Sequence, residues 1–286
     1  MKALLAFGVI GLMAVSASGQ MFYASNNLAA NNFGTPGDEL ITYDFSTALW
    51  SSVGVFTDVT GAPLDGVTGL DWNGPLGSQL IASTGFGSMP GNIYSVNPAD
   101  ASVMLIGASP VPMSDLAFNR VNGKMYGTDA ADQLWRDDNG DAIPETLVGA
   151  YGVGALEVGL GFDGNGDVYV HDLVSDIIYK GVGDNPASVV PFVDILVQAG
   201  YDTNFSQGLY VGDNRGYHAA LDATNLASPN YSFNLVDGTD YAPADSVFAT
   251  WTNGLPEVEV GDLTPIPEPA SLALLALGGL FLRRRR

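Results

Sequence analysis

The sequence predicts an all-β fold, and three features of its 286 residues support this prediction. Glycine and proline are abundant, with 36 and 16 residues, and both favour turns over helix interiors. Hydrophobic residues make up 47% of the chain, enough for a sizeable core, whereas charged residues make up only 14%. A weak repeat also runs through the middle of the chain. Together these features favour many short strands joined by tight turns.

Each repeat begins with an apolar strand that contains a leucine. The four leucines are Leu70, Leu116, Leu160 and Leu209, at intervals of 46, 44 and 49 residues. About four strands fit into each interval, and a repeat of this length is typical of a propeller blade. Because one such sheet cannot bury both of its apolar faces alone, we expect a single β-propeller whose blades pack around an axis.

The two ends of the repeat region predict how the ring closes. Met21–Ser25 and Glu39–Phe45 look like the later strands of a blade that lacks its first strand. Asp245–Trp251 looks like the inner strands of a blade that lacks its outer ones. The two halves would complete a fifth four-stranded blade and remove free sheet edges. A sixth blade near Ala187–Ala199, or a sandwich or other β fold, remains an alternative, and short helices are expected only at the two termini.

Residues 1–19 have the pattern of a secretory signal peptide. Lys2 is followed by a 13-residue apolar run, Ala3–Val15, and then by small residues that suit cleavage after Ala17 or Gly19. As a helix this run would be about 20 Å long, shorter than the ~30 Å apolar core of a bilayer. We therefore expect export by the secretion machinery rather than a permanent N-terminal anchor.

The C-terminus has three parts in order. Pro267, Glu268 and Pro269 lie in a proline-rich stretch that cannot form a regular helix. An apolar segment, Leu272–Leu282, follows, and the chain ends with Arg283, Arg284, Arg285 and Arg286. This order resembles the PEP-CTERM sorting signal of exported proteins of Gram-negative bacteria. The resemblance implies recognition by a membrane-embedded exosortase, removal of the tail, and passage from transient inner-membrane anchoring to the outer surface or extracellular matrix.

An anchor that is never cleaved is the alternative for this end. The apolar segment would be about 17 Å long as a helix, which is too short to span a bilayer unaided. Thinned lipid, with the arginine side chains reaching the interface, would accommodate it. Intact-mass measurement of the surface protein decides between the two, because a retained arginine tail contradicts processing.

This division of the chain changes the interpretation of its charge. We expect a signal peptide at 1–19, a propeller-like domain at 20–258, a linker with the Pro-Glu-Pro motif at 259–271, and an apolar segment with an arginine tail at 272–286. The whole chain has 10 basic and 31 acidic residues, a net charge of −21. Lys2, Glu268 and the four tail arginines lie outside residues 20–266, so that stretch keeps five basic residues against 30 acidic ones and carries about −25. Such an acidic domain is a poor ligand for nucleic acid.

The best candidate for a binding site is an acidic loop at residues 137–145. Asp137, Asn139 and Asp141 place oxygen atoms at alternate positions, as a loop around Ca²⁺ requires, and Glu145 stands at the ninth position. The sixth and twelfth positions lack the glycine and the glutamate of an EF-hand loop, so a solvated turn is an equally good interpretation. A second loop with the same spacing, 163–167, is better explained as a hairpin turn, because it places Asn-Gly between two strand-like runs.

The sequence shows no catalytic motif. It has no cysteine and only two histidines, His171 and His218, which excludes thiol chemistry and a His-rich metal centre. Nothing near either histidine indicates an oriented catalytic partner, and we expect both to be strand or loop-surface residues. No nucleophile elbow, HExxH motif or P-loop is present. Among 31 acidic residues, a carboxylate pair at any spacing carries little information.

The sequence therefore favours a non-enzymatic protein of the cell surface or extracellular matrix, with Ca²⁺ and extracellular polysaccharide as candidate ligands. The alternative is an extracellular propeller hydrolase or lyase that acts on polysaccharide or lactones. Such an enzyme would place several acidic or histidine side chains around the mouth of the central channel. A carbohydrate-binding module is a third hypothesis, and it rests only on the aromatic content, which core packing explains as well.

Overall fold

The computed structural model describes residues 21–27, 37–44, 49–85, 89–153, 157–199, 208–212, 215–219, 230–239, 242–243 and 260–266. The signal peptide, the Pro267–Pro269 motif and the arginine tail lie outside these residues. The first eleven strands are β1 (Met21–Asn26), β2 (Glu39–Asp44), β3 (Leu49–Val55), β4 (Val67–Trp72), β5 (Leu80–Thr84), β6 (Asn92–Val96), β7 (Val103–Ala108), β8 (Asp115–Asn119), β9 (Lys124–Asp129), β10 (Gln133–Arg136) and β11 (Thr146–Ala150). The later elements are β12 (Glu157–Phe162), β13 (Val168–Asp172), β14 (Ile177–Val182), β15 (Asn185–Asp194), α1 (Ile195–Ala199), β16 (Gly208–Val211), β17 (Arg215–Ala219), β18 (Asn230–Asn234), β19 (Ala242–Pro243) and β20 (Val260–Pro265).

These strands form five four-stranded antiparallel sheets arranged as a five-blade propeller, which confirms the predicted fold. Blade 1 has the strand order β20-β1-β2-β3, and blades 2 to 5 follow as β4 to β7, β8 to β11, β12 to β15 and β16 to β19. The inner strands contact one another in the ring order β20, β4, β8, β12, β16 and back to β20. The stretch that suggested a sixth blade is β15, the outer strand of blade 4, followed by α1.

The ring is closed by strands from both ends of the chain. β20 pairs antiparallel with β1, and Ala24 lies opposite Leu263. The residues expected to close the ring, Asp245–Trp251, lie outside the described residues. The closing strand Val260–Pro265 falls within the expected linker, so the domain end predicted at residue 258 is too early. The physical reason is burial, because Val260 and Leu263 pack between blades 1 and 5.

The structure also corrects the expected placement of helices. α1 lies in the middle of the chain, whereas the sequence predicted helices only at the termini, which lie outside the described residues. Asp194 caps this helix, because its carboxylate accepts the Val197 N–H at 2.9 Å, and Ile195 is buried against blade 5. No helix within the described part of the chain is long and apolar enough to cross a membrane.

The core is divided among the five interfaces between neighbouring blades. One cluster of buried apolar side chains fills each interface. Between blades 1 and 2, for example, Phe56 packs with Leu40 and Trp72. Full burial of such a side chain stabilises the fold by about 1.5–3 kcal/mol, so every blade depends on both of its neighbours.

The leucines of the sequence repeat all occupy inner strands. Leu70, Leu116, Leu160 and Leu209 lie in β4, β8, β12 and β16, and all four are buried. Leu263 in β20 takes the fifth equivalent place. It follows Leu209 by 54 residues, a longer interval than the others, which is why the period pointed to Asp245–Trp251 instead.

Candidate functional site

The central channel is a narrow cavity lined by the inner strands of all five blades, and each strand contributes one leucine to the lining. These five are Leu70, Leu116, Leu160, Leu209 and Leu263. The cavity that they and their neighbours line has a volume of about 10 Å³, which is room for about one water molecule. Pockets that bind small molecules are typically about 300–1,000 Å³. The described part of the channel is therefore packed rather than open.

Three aspartates on the inner strands join neighbouring blades around this channel. Asp115 and Asp262 are buried, and Asp71 is partly exposed. Each carboxylate accepts a backbone N–H from the inner strand of the next blade. The bonds join Asp262 to Leu70 at 2.5 Å, Asp71 to Phe118 at 2.8 Å, and Asp115 to Leu160 at 2.5 Å. Because an N–H bond to a carboxylate is stronger than one between neutral groups, these bonds tie blades 1 to 4 together at the axis.

Asp115 and Asp262 are also close enough to change each other's ionisation. Burial and the nearby Asp262 carboxylate raise the pKa of Asp115 well above its usual value. Burial raises the pKa of Asp262 as well. Burial likewise raises the pKa of Asp71, although the Arg120 charge opposes that change. The pair therefore keeps a proton at pH values well above the usual pKa of a carboxyl group.

Arg120 follows β8 and reaches across the end of the channel from blade 3 to blade 5. Its Nη2 donates to the Tyr210 hydroxyl at 2.7 Å, and its guanidinium lies 5.6 Å from the centre of the Tyr210 ring. Cations bind favourably over the faces of aromatic rings at this distance. Arg120, the one basic side chain among the described residues that line this cavity, is thus engaged with the neighbouring Tyr210.

His171 and His218 lie in the second strands of blades 4 and 5, and their rings contact each other. The ring centroids are 4.5 Å apart with an interplanar angle of 73°. Both side chains are fully buried. Burial lowers the pKa of His171 to about 4, and burial together with His171 lowers the pKa of His218 well below its usual value. The two are strand residues, as the sequence allowed, but they are in the core between blades rather than at the surface.

The acidic loop between β10 and β11 brings three of its four predicted ligands together. One carboxylate oxygen from each of Asp137, Asp141 and Glu145 lies within 4.8 Å of the other two. Asp137 is only 2% exposed, and its carboxylate accepts backbone N–H groups from Asn139 at 2.9 Å and Ala142 at 2.8 Å. Asn139 thus contributes a backbone N–H that orients Asp137. The loop fixes its central carboxylate by folding its own backbone around it.

Within the described residues, no ion pair offsets the charge of the three converging carboxylates. One Glu145 oxygen accepts the Asp138 N–H at 3.1 Å, while the other is buried without a hydrogen-bond partner there. The described lysines and arginines form no ion pair with Asp137, Asp141 or Glu145, whereas Arg136 pairs with Asp138 at 2.8 Å. Carboxylate oxygens are the type of ligand that a hard divalent cation such as Ca²⁺ prefers, and three of them converge here.

The second acidic loop, 163–167, has a different environment. The Lys180 ammonium lies 3.7 Å from Asp163 and 3.6 Å from Asp167, and it also lies 5.1 Å from the centre of the Tyr169 ring. Gly166 has a φ of +84°, as a turn residue between two strands requires. An internal lysine therefore offsets the negative charge, and the hairpin interpretation explains this loop.

The axial aspartates are not among the sequence-predicted site residues, although a signal for them is present. Each stands directly beside the buried leucine of an inner strand, as Leu70-Asp71, Asp115-Leu116 and Asp262-Leu263. The aspartate follows the leucine in the first case and precedes it in the other two. The aspartates therefore fall in different columns when the repeats are aligned on their leucines. Their proximity can be recognised only in the closed ring.

Comparison with known proteins identifies the C-terminal tail and supports the fold. Residues 265–286 match the family model of the PEP-CTERM protein-sorting motif. No curated protein matches the chain. A solved chain from "Crystal structure of Nidogen/Laminin Complex" is similar with a TM-score of 0.51 and 8% identity, over 87% of this chain and 98% of that one. A chain from "Structure of U3-55K" has a TM-score of 0.42 and 10% identity, over 61% and 50% respectively. At 8% identity, the likeness to the chain from the Nidogen/Laminin complex concerns the fold alone.

Proposed function

We propose that this chain, an exported protein with a PEP-CTERM sorting motif, serves as a non-enzymatic component of the outer surface or extracellular matrix. The motif implies export, recognition by an exosortase, and transient anchoring through the C-terminal tail. The non-enzymatic role is supported by the hydrogen bonds that the axial carboxylates already make within the protein. Each accepts N–H bonds from the neighbouring blade, and the channel has room for about one water molecule. A hydrolase would need such groups in reach of a substrate.

Localisation and turnover test this proposal together. We expect the protein in the surface or matrix fraction of cells, with an intact mass that lacks Arg283–Arg286. We also expect no turnover of panels of polysaccharides and lactones by the purified protein. Turnover that persists after purification to homogeneity would support the hydrolase or lyase instead, and a protein retained in the inner membrane with its arginines would contradict matrix delivery.

We propose Ca²⁺ as the ligand of the acidic loop at 137–145. The Asp137 carboxylate is held by backbone N–H bonds, Glu145 has a buried oxygen without a partner among the described residues, and the three carboxylates carry no basic counter-charge there. A bound Ca²⁺ would offset their mutual repulsion, and water would complete its six to eight oxygen ligands. An acidic surface that carries bound Ca²⁺ would also suit association with anionic polysaccharide, which we propose as the matrix partner.

Calorimetric titration with Ca²⁺ tests the loop. We expect binding in the range of extracellular modules, with Kd about 10⁻⁴–10⁻³ M. Glu145→Gln should abolish the heat of Ca²⁺ binding, because the substitution removes one negative charge and one ligand oxygen. Asp167→Asn is the matched control, since it alters an acidic loop whose charge Lys180 already offsets. Absence of heat with millimolar Ca²⁺, or equal loss in both variants, would contradict the proposal. A polysaccharide pull-down that requires Ca²⁺ and fails with Glu145→Gln would extend it to the polymer.

A further inference from the structure

A groove of about 770 Å³ lies between blades 1 and 2, where the inner strands β20 and β4 end. Its lining includes Tyr23, Trp72, Pro98, Met104 and Ile266. None of the described residues that line it is charged, although the domain carries about −25. Its volume lies in the range of cavities that hold small ligands. A groove without charge in such an acidic domain is suited to an apolar occupant.

Two aromatic side chains form one part of this groove, and one of them already holds the start of the C-terminal tail. The Tyr23 and Trp72 rings meet edge to face with centroids 6.3 Å apart. The Trp72 Nε1–H donates to the Pro265 carbonyl oxygen at 2.9 Å. Aromatic-lined grooves are the usual binding sites of proline-rich segments, because the extended polyproline II conformation is preformed and costs little entropy to bind.

The chain leads from this hydrogen bond directly into the groove. β20 ends at Pro265, and the Ile266 N–H donates to the Met21 carbonyl oxygen at 2.8 Å while Ile266 itself lines the groove. The next three residues are the sorting motif Pro267-Glu268-Pro269. In a polyproline II conformation they would extend about 9 Å, so the motif needs no linker to reach the groove wall. Both prolines also restrict the residue before them to extended conformations.

We propose that this groove binds the Pro267-Glu268-Pro269 motif of the same chain as an extended segment. The two prolines pack against the Tyr23 ring, since Trp72 is only 4% exposed, and the Glu268 carboxylate stays in solvent, because an uncharged groove offers nothing to offset its burial. The groove needs Ile266, which follows β20, as well as Tyr23 and Trp72, so it is complete only when β20 has joined blade 1 and closed the ring. The propeller thereby sets the position of the sorting motif. This inference rests on the sorting function of the tail.

Site-specific crosslinking of the full chain in detergent tests the inference. A photo-crosslinking amino acid replaces Ala270, one residue beyond the motif, and mass spectrometry maps the products. We expect intramolecular crosslinks to peptides that contain Tyr23, Pro98 or Met104. Met104→Glu should lower their yield at least about fivefold, because it puts a charge into the groove. Leu105→Glu is the matched control: its side chain is similarly exposed, at 55% against 59%, but successive strand residues point to opposite faces.

Three results would overturn the inference: crosslinks spread over the surface, crosslinks to a second molecule, or equal yields from the two variants. The failure of docking remains distinguishable from the failure of the proposed function. If cells remove Arg283–Arg286 but no groove crosslink forms, sorting stands and docking is wrong. If the groove crosslink forms but the tail is never processed, docking stands and the sorting function is wrong.

Discussion

At the scale of single residues, the carboxyl groups at the axis supply hydrogen bonds between blades that backbone pairing does not provide. The Asp115 carboxylate accepts the Leu116 N–H at 2.7 Å within its own blade and the Leu160 N–H at 2.5 Å in the next. Sheet ladders join strands within a blade but not between blades, so side chains must satisfy backbone donors that face the axis. An aspartate is short enough to reach one donor in its own blade and one in the next blade, so its two oxygens serve two donors.

Replacement of Asp115 by asparagine should therefore destabilise the propeller. The substitution keeps the volume but turns one acceptor oxygen into a donor, so the Leu116 or Leu160 N–H loses its partner. We expect the free energy of unfolding to fall by about 1–3 kcal/mol in urea titrations. Asp65→Asn is the control, since Asp65 is exposed. Equal stability of the two variants would show that the axial bonds contribute nothing.

The same variant should change how stability depends on pH. The pKa of Asp115 is raised in the folded state, so its contribution is fully present below the unfolded value of about 4 and is lost as pH rises through the folded value. Asp262 acts in the same direction. The free energy of unfolding of the wild type, minus that of Asp115→Asn, should thus decrease from pH 4 upwards. If this difference in free energy of unfolding increased with pH, the pKa of Asp115 would not be raised in the folded state.

The histidine pair should act with the opposite sign. The folded state lowers the pKa of His171 to about 4, against about 6.5 unfolded, so only the unfolded chain gains a proton between these values. Stability from this source is present above pH 6.5 and is lost as pH falls through the folded value. His171→Gln should flatten the dependence between pH 6.5 and 4, measured by urea unfolding. An unchanged slope would mean that the buried ring titrates normally.

At the scale of elements, the strand that closes the ring is the most informative. β20 contributes the inner strand of blade 1 and carries Asp262 and Leu263. The sequence predicted closure by both termini, and this is confirmed, but periodicity could not locate the strand because Leu263 lies 54 residues after Leu209. The adjoining prolines made the segment look like a linker. Proline is compatible with a strand end, and Pro265 stands at the end of β20.

Truncation separates the predicted domain end from the observed one. A signal-free chain that ends at residue 258 lacks β20, which leaves β1 paired with β2 alone and exposes the apolar side chains between blades 1 and 5. We expect this chain to aggregate or to melt far below the chain that ends at Ile266. Circular dichroism and size-exclusion chromatography measure both. If the shorter chain has the same Tm as the longer one, β20 is dispensable for closure.

At the scale of the whole molecule, the sequence predicted the features that repeat along the chain. It did not predict the contacts that form between residues of different blades when the ring closes. Four strand-turn-strand units with leucines at nearly constant intervals are local patterns, so the blade type and the closed ring follow from them. The axial aspartates come from three different blades, and the two histidines meet across an interface. Such contacts depend on closure rather than on local sequence. The acidic loop lies between these cases, because its ligands are close in sequence and converge within one hairpin.

The charge of the whole propeller provides the last prediction. A net charge of about −25 destabilises the compact state by self-repulsion, so any salt should raise the Tm by screening. Ca²⁺ bound at Asp137, Asp141 and Glu145 should add a specific increment, about 2.7 kcal/mol at a hundred times Kd. We expect CaCl₂ to raise the Tm more than NaCl of equal ionic strength, and Glu145→Gln to reduce that excess to zero. If the excess persists in Glu145→Gln, Ca²⁺ binds elsewhere on the acidic surface, and this loop is not its site.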